Sequence, residues 1–200
     1  IRDVERSRGL GDVYKRQSER DAIMSIKGQL EPKLQPGDIL VLIGRGPLGT
    51  GMEETYQLTS ALKFLKWGKE VAILTDARFS GVSTGACIGH VGPEALANGP
   101  IGRVQDGDRI EIIVDRNKLT GSVNLVGTAE KELTPEQAQA MLDSRDTWPG
   151  LQEDAALHSD TRLWAALQKV GGGTWGGCVY DVDRIVETLE AGAKALSEEA

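Results

Sequence analysis

Two short aliphatic runs constrain this chain most. Residues 39–44 read ILVLIG and residues 71–75 read VAILT, and each runs straight into a loop of glycines and charged residues. A continuous apolar run this short, bounded by turn residues, is the pattern of a buried strand. Phe, Trp and Tyr make up only 4% of the 200 residues, so the core around such strands must be aliphatic.

The rest of the chain is read around them. Residues 1–17, IRDVERSRGLGDVYKRQ, are charged with little apolar periodicity, and are set outside the fold as a linker, a tag-like leader or a sequence-assembly artefact. From Ser18 the pattern is orderly. SERDAIMSIKG predicts a short helix with Ser18 as N-cap and Gly28 as its stop. Residues 52–67 predict a longer helix, with Tyr56, Leu58, Leu62 and Leu65 as core contacts and Gly68 just past its end. GPEALANGP predicts a short helix with Pro93 at its first position. Residues 102–127 alternate and turn like β structure, with Asp106-Gly107 as a tight turn. LTPEQAQAMLDSR carries a full helix-start motif in Thr134, Pro135 and Gln137. Two more helices are expected, one over TRLWAALQKV and a terminal amphipathic one with Ile185, Val186, Leu189, Ala193 and Leu196 on one side. The order runs from α/β to mostly β to helices. It argues against a regular doubly wound sheet and for an α/β domain built on a closed or half-closed β-barrel with helices outside.

Composition excludes some functions. There are 30 acidic and 23 basic residues, for a net charge of −7, and no Lys/Arg block, which argues against nucleic acid as a partner. No apolar run approaches a membrane span, and no signal segment is visible. The two cysteines, Cys87 and Cys178, are too few for a disulfide framework or a complete cysteine-ligated iron–sulfur site. They read as reduced thiols in a cytoplasmic protein.

Two stretches could carry chemistry. In GRGPLGTGMEE, the glycines Gly46, Gly49 and Gly51 let the backbone approach a ligand, and the helix expected after them presents free N–H groups to an anion. The loop lacks the GxGxxG and GK[ST] patterns of nucleotide sites. Glu53 and Glu54 fall in the first turn of that expected helix. There they either complement its dipole, worth about 0.3–1 kcal/mol, or one of them binds a hard cation such as Mg²⁺. In LTDARFSGVSTGACIGH, Ser80 is a hydroxyl at a strand end with no adjacent base. It is either a turn hydroxyl or a base whose alkoxide something cationic stabilises. Arg78 is either a surface charge or a clamp whose planar fork suits a substrate carboxylate, and Ser83 and Thr84 are loop hydroxyls beside it. A triad of Ser80, His90 and Asp76 lacks the GxSxG elbow.

The combined run, G-P-x-G-x-G-M-x-E, then T-D-x-R-F-S-G, then G-H-V-x-P-E-A, resembles the C-terminal domain of the dihydroxy-acid and sugar-acid dehydratases. These are iron–sulfur, Mg²⁺-dependent enzymes that include the 6-phosphogluconate dehydratases. The likeness runs from about residue 18 to residue 127, and DTRLWAALQKVGGGTWGGCVYDVDRI resembles the D-xylonate dehydratase branch. The resemblance implies a swivelling β-barrel-like domain, similar to that of aconitase-like enzymes. It implies β-elimination of water from a sugar acid, with Ser80 as the base at C2 and Glu54 on Mg²⁺. It places the iron–sulfur ligands and the other Mg²⁺ ligands in an N-terminal domain outside this chain, and it implies a homo-oligomer. By this reading residues 18–200 are the dehydratase domain, with residues 128–200 its branch-specific tail. The alternative reading is a non-catalytic domain that captures an anion on the Gly-rich loop.

Overall fold

The two aliphatic runs become neighbouring parallel strands. A computed structural model describes residues 6–16 and 18–198. Strand β2 (Ile39–Leu42) pairs in register with β4 (Ala72–Thr75), which pairs with β6 (Ala86–Ile88). On the other side of β2 lies β1 (Arg6–Arg16), parallel to it. Beyond β1, the antiparallel hairpin of β7 (Asp108–Asp115) and β8 (Thr120–Thr128) extends the sheet to six strands. The result is a mixed α/β fold on a curled half-barrel sheet, open between its edge strands β6 and β8.

Side chains alternate across a strand, so β2 and β4 feed two cores. Ile39, Val41, Ala72 and Leu74 join Ile110, Ile112, Ile101 and Val104 on the concave side. Leu40, Leu42 and Ile73 join the other core, under helices α1 (Glu19–Ile26) and α3 (Gln57–Lys63). Both faces are covered, which is why these runs are continuously apolar.

Helix α1 starts where expected: the Ser18 side chain accepts from the Asp21 N–H at 3.0 Å. Helix α4 (Pro135–Ser144) has the full capping box of Thr134 and Gln137. Helices α5 (Ser159–Gly171) and α6 (Val182–Glu198) complete the chain. The apolar stripe of α6 is present, but Val186, Leu189 and Leu196 are exposed on it.

Three expectations give way. Residues 1–17 were set outside the fold, yet Arg6–Arg16 forms β1 in the middle of the sheet; residues 1–5 and 17 lie outside the described residues. The strand hides from periodicity because a lysine stands at a core-facing position. Val13 and Lys15 are both buried, and Lys15 lays its ammonium 4.4 Å from the Trp148 ring centre. Burial pushes that ammonium down to about 8, against the pull of Asp106 and Asp108.

The expected helix over residues 52–67 is also different. A one-turn helix α2 (Pro47–Thr50) comes first and ends on Gly51 and Met52, both left-handed at φ 69° and 58°. Then comes a two-residue strand β3 (Glu54–Thr55), and only then α3. Thr55 is drawn into β3 by its hydroxyl, which donates to the Arg78 carbonyl at 3.2 Å. Of the expected contacts, Leu58 and Leu62 are buried, whereas Tyr56 is exposed. Finally, GPEALANGP forms one 3₁₀ turn, Ala95–Ala97, with Pro93 ahead of it rather than inside it, and its last residue opens a second, Pro100–Gly102.

A buried ion pair ties the helical part to the sheet. Arg145, just past α4, donates to Asp108 at the start of β7 through two nitrogens, at 2.6 and 2.9 Å. Asp108 is 2% exposed. Replacing Asp108 by Ala strands a guanidinium in the interior, and is expected to lower unfolding stability by about 3–5 kcal/mol. Urea denaturation of the variant chain at neutral pH measures this; a loss under about 1 kcal/mol rules out the anchoring role.

Candidate active site

The site is built from the ends of β2 and β4. Thr75 closes β4 and the next residue, Asp76, is fully buried. Its carboxylate accepts three backbone N–H groups, from Gly44 at 3.0 Å, Arg45 at 2.9 Å and Ala95 at 3.1 Å. Burial pushes the Asp76 acid up, and those N–H groups pull it back down. Asp76 thus spends its oxygens on backbone amides instead of on His90. His90 is exposed, and its N–H donates to the Ala77 carbonyl at 2.8 Å. The arrangement supplies no oriented histidine for a Ser80 triad.

A second buried acid holds the Gly-rich loop from inside. Glu94, 3% exposed, accepts the Leu48 N–H at 2.8 Å. Burial pushes its acid up to about 7, with the Asp76 charge adding to the rise and the Leu48 bond opposing it. The N–H groups of Gly49, Thr50 and Met52 turn back to the Gly46 carbonyl. Donors that could have met an anion therefore already hold carboxylates and a carbonyl of the chain itself. The glycines answer to packing: a Cβ at Gly46 would lie 2.2 Å from a Glu94 oxygen, and one at Gly49 would lie 2.0 Å from the Gly44 carbonyl. Gly51 supplies the left-handed turn into β3.

The loop delivers Glu53 and Glu54 to different tasks. Glu53 is ion-paired with Arg45, whose guanidinium also lies 3.6 Å from Asp154. Glu54 is exposed, and its carboxylate makes no hydrogen bond or ion pair among the described residues. Neither sits in a helix's first turn, so the dipole explanation does not apply to them.

Glu54 lies in β3, which pairs in parallel with β5 (Arg78–Phe79). Glu54 is the register partner of Arg78, and Thr55 is the partner of Phe79. Thr55 is buried and Phe79 packs against the core under α1 and α3, so Glu54 and Arg78 take the outward face. Ser80 is the next residue after β5 and is half-buried. Its carbonyl accepts the Ser83 N–H at 2.9 Å, closing a turn. The buried Thr59 hydroxyl of α3 donates to the Ser83 hydroxyl at 3.3 Å, tying this turn down. Thr84 is exposed at the tip. The register sets Glu54 beside Arg78, and Ser80 follows Arg78 by two residues, in the turn that Ser83 closes. Gly46, Gly49 and Gly51 stand behind Glu54 as scaffold.

Sequence reasoning missed Glu94, Arg45 and Thr59. An acid isolated among small and apolar residues, as Glu94 is in GPEALA, was the available signal. Nothing local marks Arg45 or Thr59, whose partners are remote in sequence.

The donor this chain offers a hard cation here is the exposed Glu54 carboxylate, which has no protein partner among the described residues. Mg²⁺ is commonly held by one or two carboxylates, with water and substrate oxygens completing its shell. Among the described residues, no group of three or more His, Cys, Asp or Glu side chains could hold a metal on its own. An iron–sulfur cluster does not fit this chain. Cys87 and Cys178 are both free and lie on β6 and after the glycine turn of residues 171–177. Nor is any described helix long and apolar enough to cross a membrane. A cavity of about 590 Å³ lies between β7, β8 and α4, lined by Ile110, Leu125, Ala138 and Leu142; it contains none of the site residues and is the apolar interior of the curled sheet.

The chain belongs to the dihydroxy-acid/6-phosphogluconate dehydratase C-terminal family, which it matches over residues 3–162. That span includes β1. Among individual proteins, it is 62% identical to the D-xylonate dehydratase YagF of Escherichia coli K12 over 179 residues, 90% of this chain and 27% of that protein. It is 58% identical to D-xylonate dehydratase YjhG of the same organism over 184 residues, 91% of this chain and 27% of the relative. A dihydroxy-acid dehydratase of Dinoroseobacter shibae is 36% identical over 163 residues, 81% of this chain and 25% of the relative. The chain therefore spans about a quarter of the length of these relatives.

Glu94 makes stability depend on pH in a stated direction. Its folded pKa of about 7 lies above its ordinary 4.5. Between those values the folded chain keeps a proton that the unfolded chain releases, so stability falls as pH rises from about 4.5 to 7 and then levels off. The contribution is on the order of 3 kcal/mol. Urea denaturation across this range should show the decline in the wild-type chain, and a much flatter profile in Glu94→Gln. Equal slopes in the two chains would refute a raised Glu94 pKa.

Proposed function

We propose that this chain is the C-terminal part of a hydro-lyase that dehydrates a sugar acid, an aldonate such as D-xylonate, to a 2-keto-3-deoxy acid. The observation that carries the reading is the β3–β5 pair. It sets Glu54, a carboxylate without a partner among the described residues, opposite Arg78, with Ser80 two residues further along the chain. The identities to the two D-xylonate dehydratases support the substrate class. The half-barrel sheet accords with a swivelling domain of the aconitase type, one that closes over a partner domain.

In this reading Arg78 binds the substrate carboxylate through its planar fork. Ser80 takes the proton from C2. The electron pair of that C–H bond becomes the C2–C3 double bond, and the 3-hydroxyl departs and is protonated to water. The enol so formed loses its 2-hydroxyl proton and gains one at C3, becoming the 2-keto-3-deoxy acid. Glu54 contributes a ligand to Mg²⁺, which when bound lowers the cost of negative charge on the substrate and on a serine alkoxide nearby. Thr84 and the Ser83 turn border the substrate. The iron–sulfur cluster and the remaining Mg²⁺ ligands belong to the protein's own N-terminal domain, and the working enzyme is a cytoplasmic homo-oligomer.

Two variants of the full-length protein test the roles separately. Ser80→Ala should lower kcat by about 10²–10⁴-fold, the range of a lost general base, and leave the Mg²⁺ half-saturation point unchanged. Near-normal kcat would dismiss Ser80 as the base. Glu54→Gln should raise the Mg²⁺ concentration needed for half-maximal activity by at least about tenfold. An unaltered Mg²⁺ titration dismisses Glu54 as a ligand.

A further inference from the structure

Glu94 has no part in that chemistry, yet it is a buried acid held against the loop that carries Glu54. Its Oε1 accepts the Leu48 N–H at 2.8 Å. Its Oε2 is buried with no hydrogen-bond partner among the described residues, and lies where a side chain at position 46 would have to go. The root of the residue is fixed as well. Its carbonyl accepts from Ala97 at 3.0 Å and Gly99 at 2.9 Å, and the next N–H, that of Ala95, goes to Asp76. Glu94 is thus a rigid strut between the 92–99 turn and the loop that carries Glu54.

From Leu48 to Glu54 the chain has little slack. The Met52 N–H donates to the Gly46 carbonyl at 3.1 Å, and the Thr50 hydroxyl donates to the Arg45 carbonyl at 3.0 Å. That hydroxyl also accepts the Glu53 N–H at 3.3 Å. Met52, a residue with a side chain, sits in the narrow left-handed region at φ 58°. A shift of Leu48 is therefore passed to Glu53 and Glu54 instead of being absorbed between them.

We propose that Glu94 is a positioning residue for Glu54: by holding the Leu48 amide from inside, it sets where Glu54 enters β3 opposite Arg78. The proposal rests on the reading of Glu54 as an Mg²⁺ ligand. Burial and the neighbouring Asp76 charge favour the neutral acid at Glu94. A neutral acid still accepts the Leu48 N–H, and it adds no second negative charge beside Asp76. Glutamine reproduces that state, alanine removes the acceptor, and aspartate withdraws it by one methylene.

The test uses the full-length protein, with Mg²⁺ titrations of activity and hydrogen exchange over residues 44–54. Glu94→Ala should raise the Mg²⁺ half-saturation point about tenfold or more, the usual effect of losing a partner behind a metal ligand, and should speed exchange of the Leu48 amide. Glu94→Asp should shift both in the same direction, and serves if the alanine variant does not fold. Glu94→Gln should stay within about twofold of wild type in both. If Glu54→Gln shifts the titration and Glu94→Ala and Glu94→Asp do not, the positioning role is overturned while the ligand reading stands. If Glu54→Gln leaves the titration unmoved, the ligand reading fails and takes this proposal with it. A shift as large in Glu94→Gln as in Glu94→Ala also overturns it, because glutamine keeps the Leu48 bond.

Discussion

The carboxylate of Asp76 is the interaction on which the site depends. A buried carboxylate without partners is costly, and burial alone would drive it to take up a proton. Three backbone N–H groups offset that cost, and hydrogen bonds to a charged group contribute roughly 1.5–3 kcal/mol each. The donors come from the Gly-rich loop and from the 92–99 turn, and the acceptor is at the end of β4. One side chain therefore ties the second motif to the third and to the two residues that lead into the first. Ser80 and Glu54 lie a few residues beyond this knot, on segments that leave it in defined directions.

The same economy explains why the loop is so rich in glycine. Glu94 and the Gly44 carbonyl occupy the space that side chains at Gly46 and Gly49 would need. The amides that look like an anion site in sequence are engaged by the chain's own oxygens. The loop is thus a scaffold whose product is the direction of the chain at Glu53 and Glu54. Arg45 then separates two adjacent carboxylates, pairing with Glu53 and leaving Glu54 open on the outward face. A pair of strands only two residues long suffices to align Glu54 with Arg78, because both are held from behind by Thr55 and Phe79.

Legibility differed between elements for physical reasons. Strands β2 and β4 were plain, because burial on both faces demands unbroken aliphatic residues. Helix α4 was plain because its capping box is a local, self-contained set of hydrogen bonds. Strand β1 was hidden, because Lys15 fills a core-facing position with its ammonium over Trp148, and no window of neighbouring sequence reports a partner so distant. The long helix expected over residues 52–67 was broken by Gly51 and Met52 and by the pull of Arg78 on Thr55, again a contact between remote segments.

The amino-acid sequence by itself determined the buried strands, the capped helices and the motifs, since each depends on residue type and local spacing, and the likeness those motifs carry is what singled out Ser80 and Glu54. Only the tertiary structure decided that Glu54 rather than Glu53 is free, that Asp76 is a structural pin instead of a triad member, and that Glu94 belongs to the site at all. Those outcomes turn on which groups meet across tens of residues of chain. Local pattern carries no record of such meetings, because burial and hydrogen bonding between remote segments are settled only when the sheet has formed.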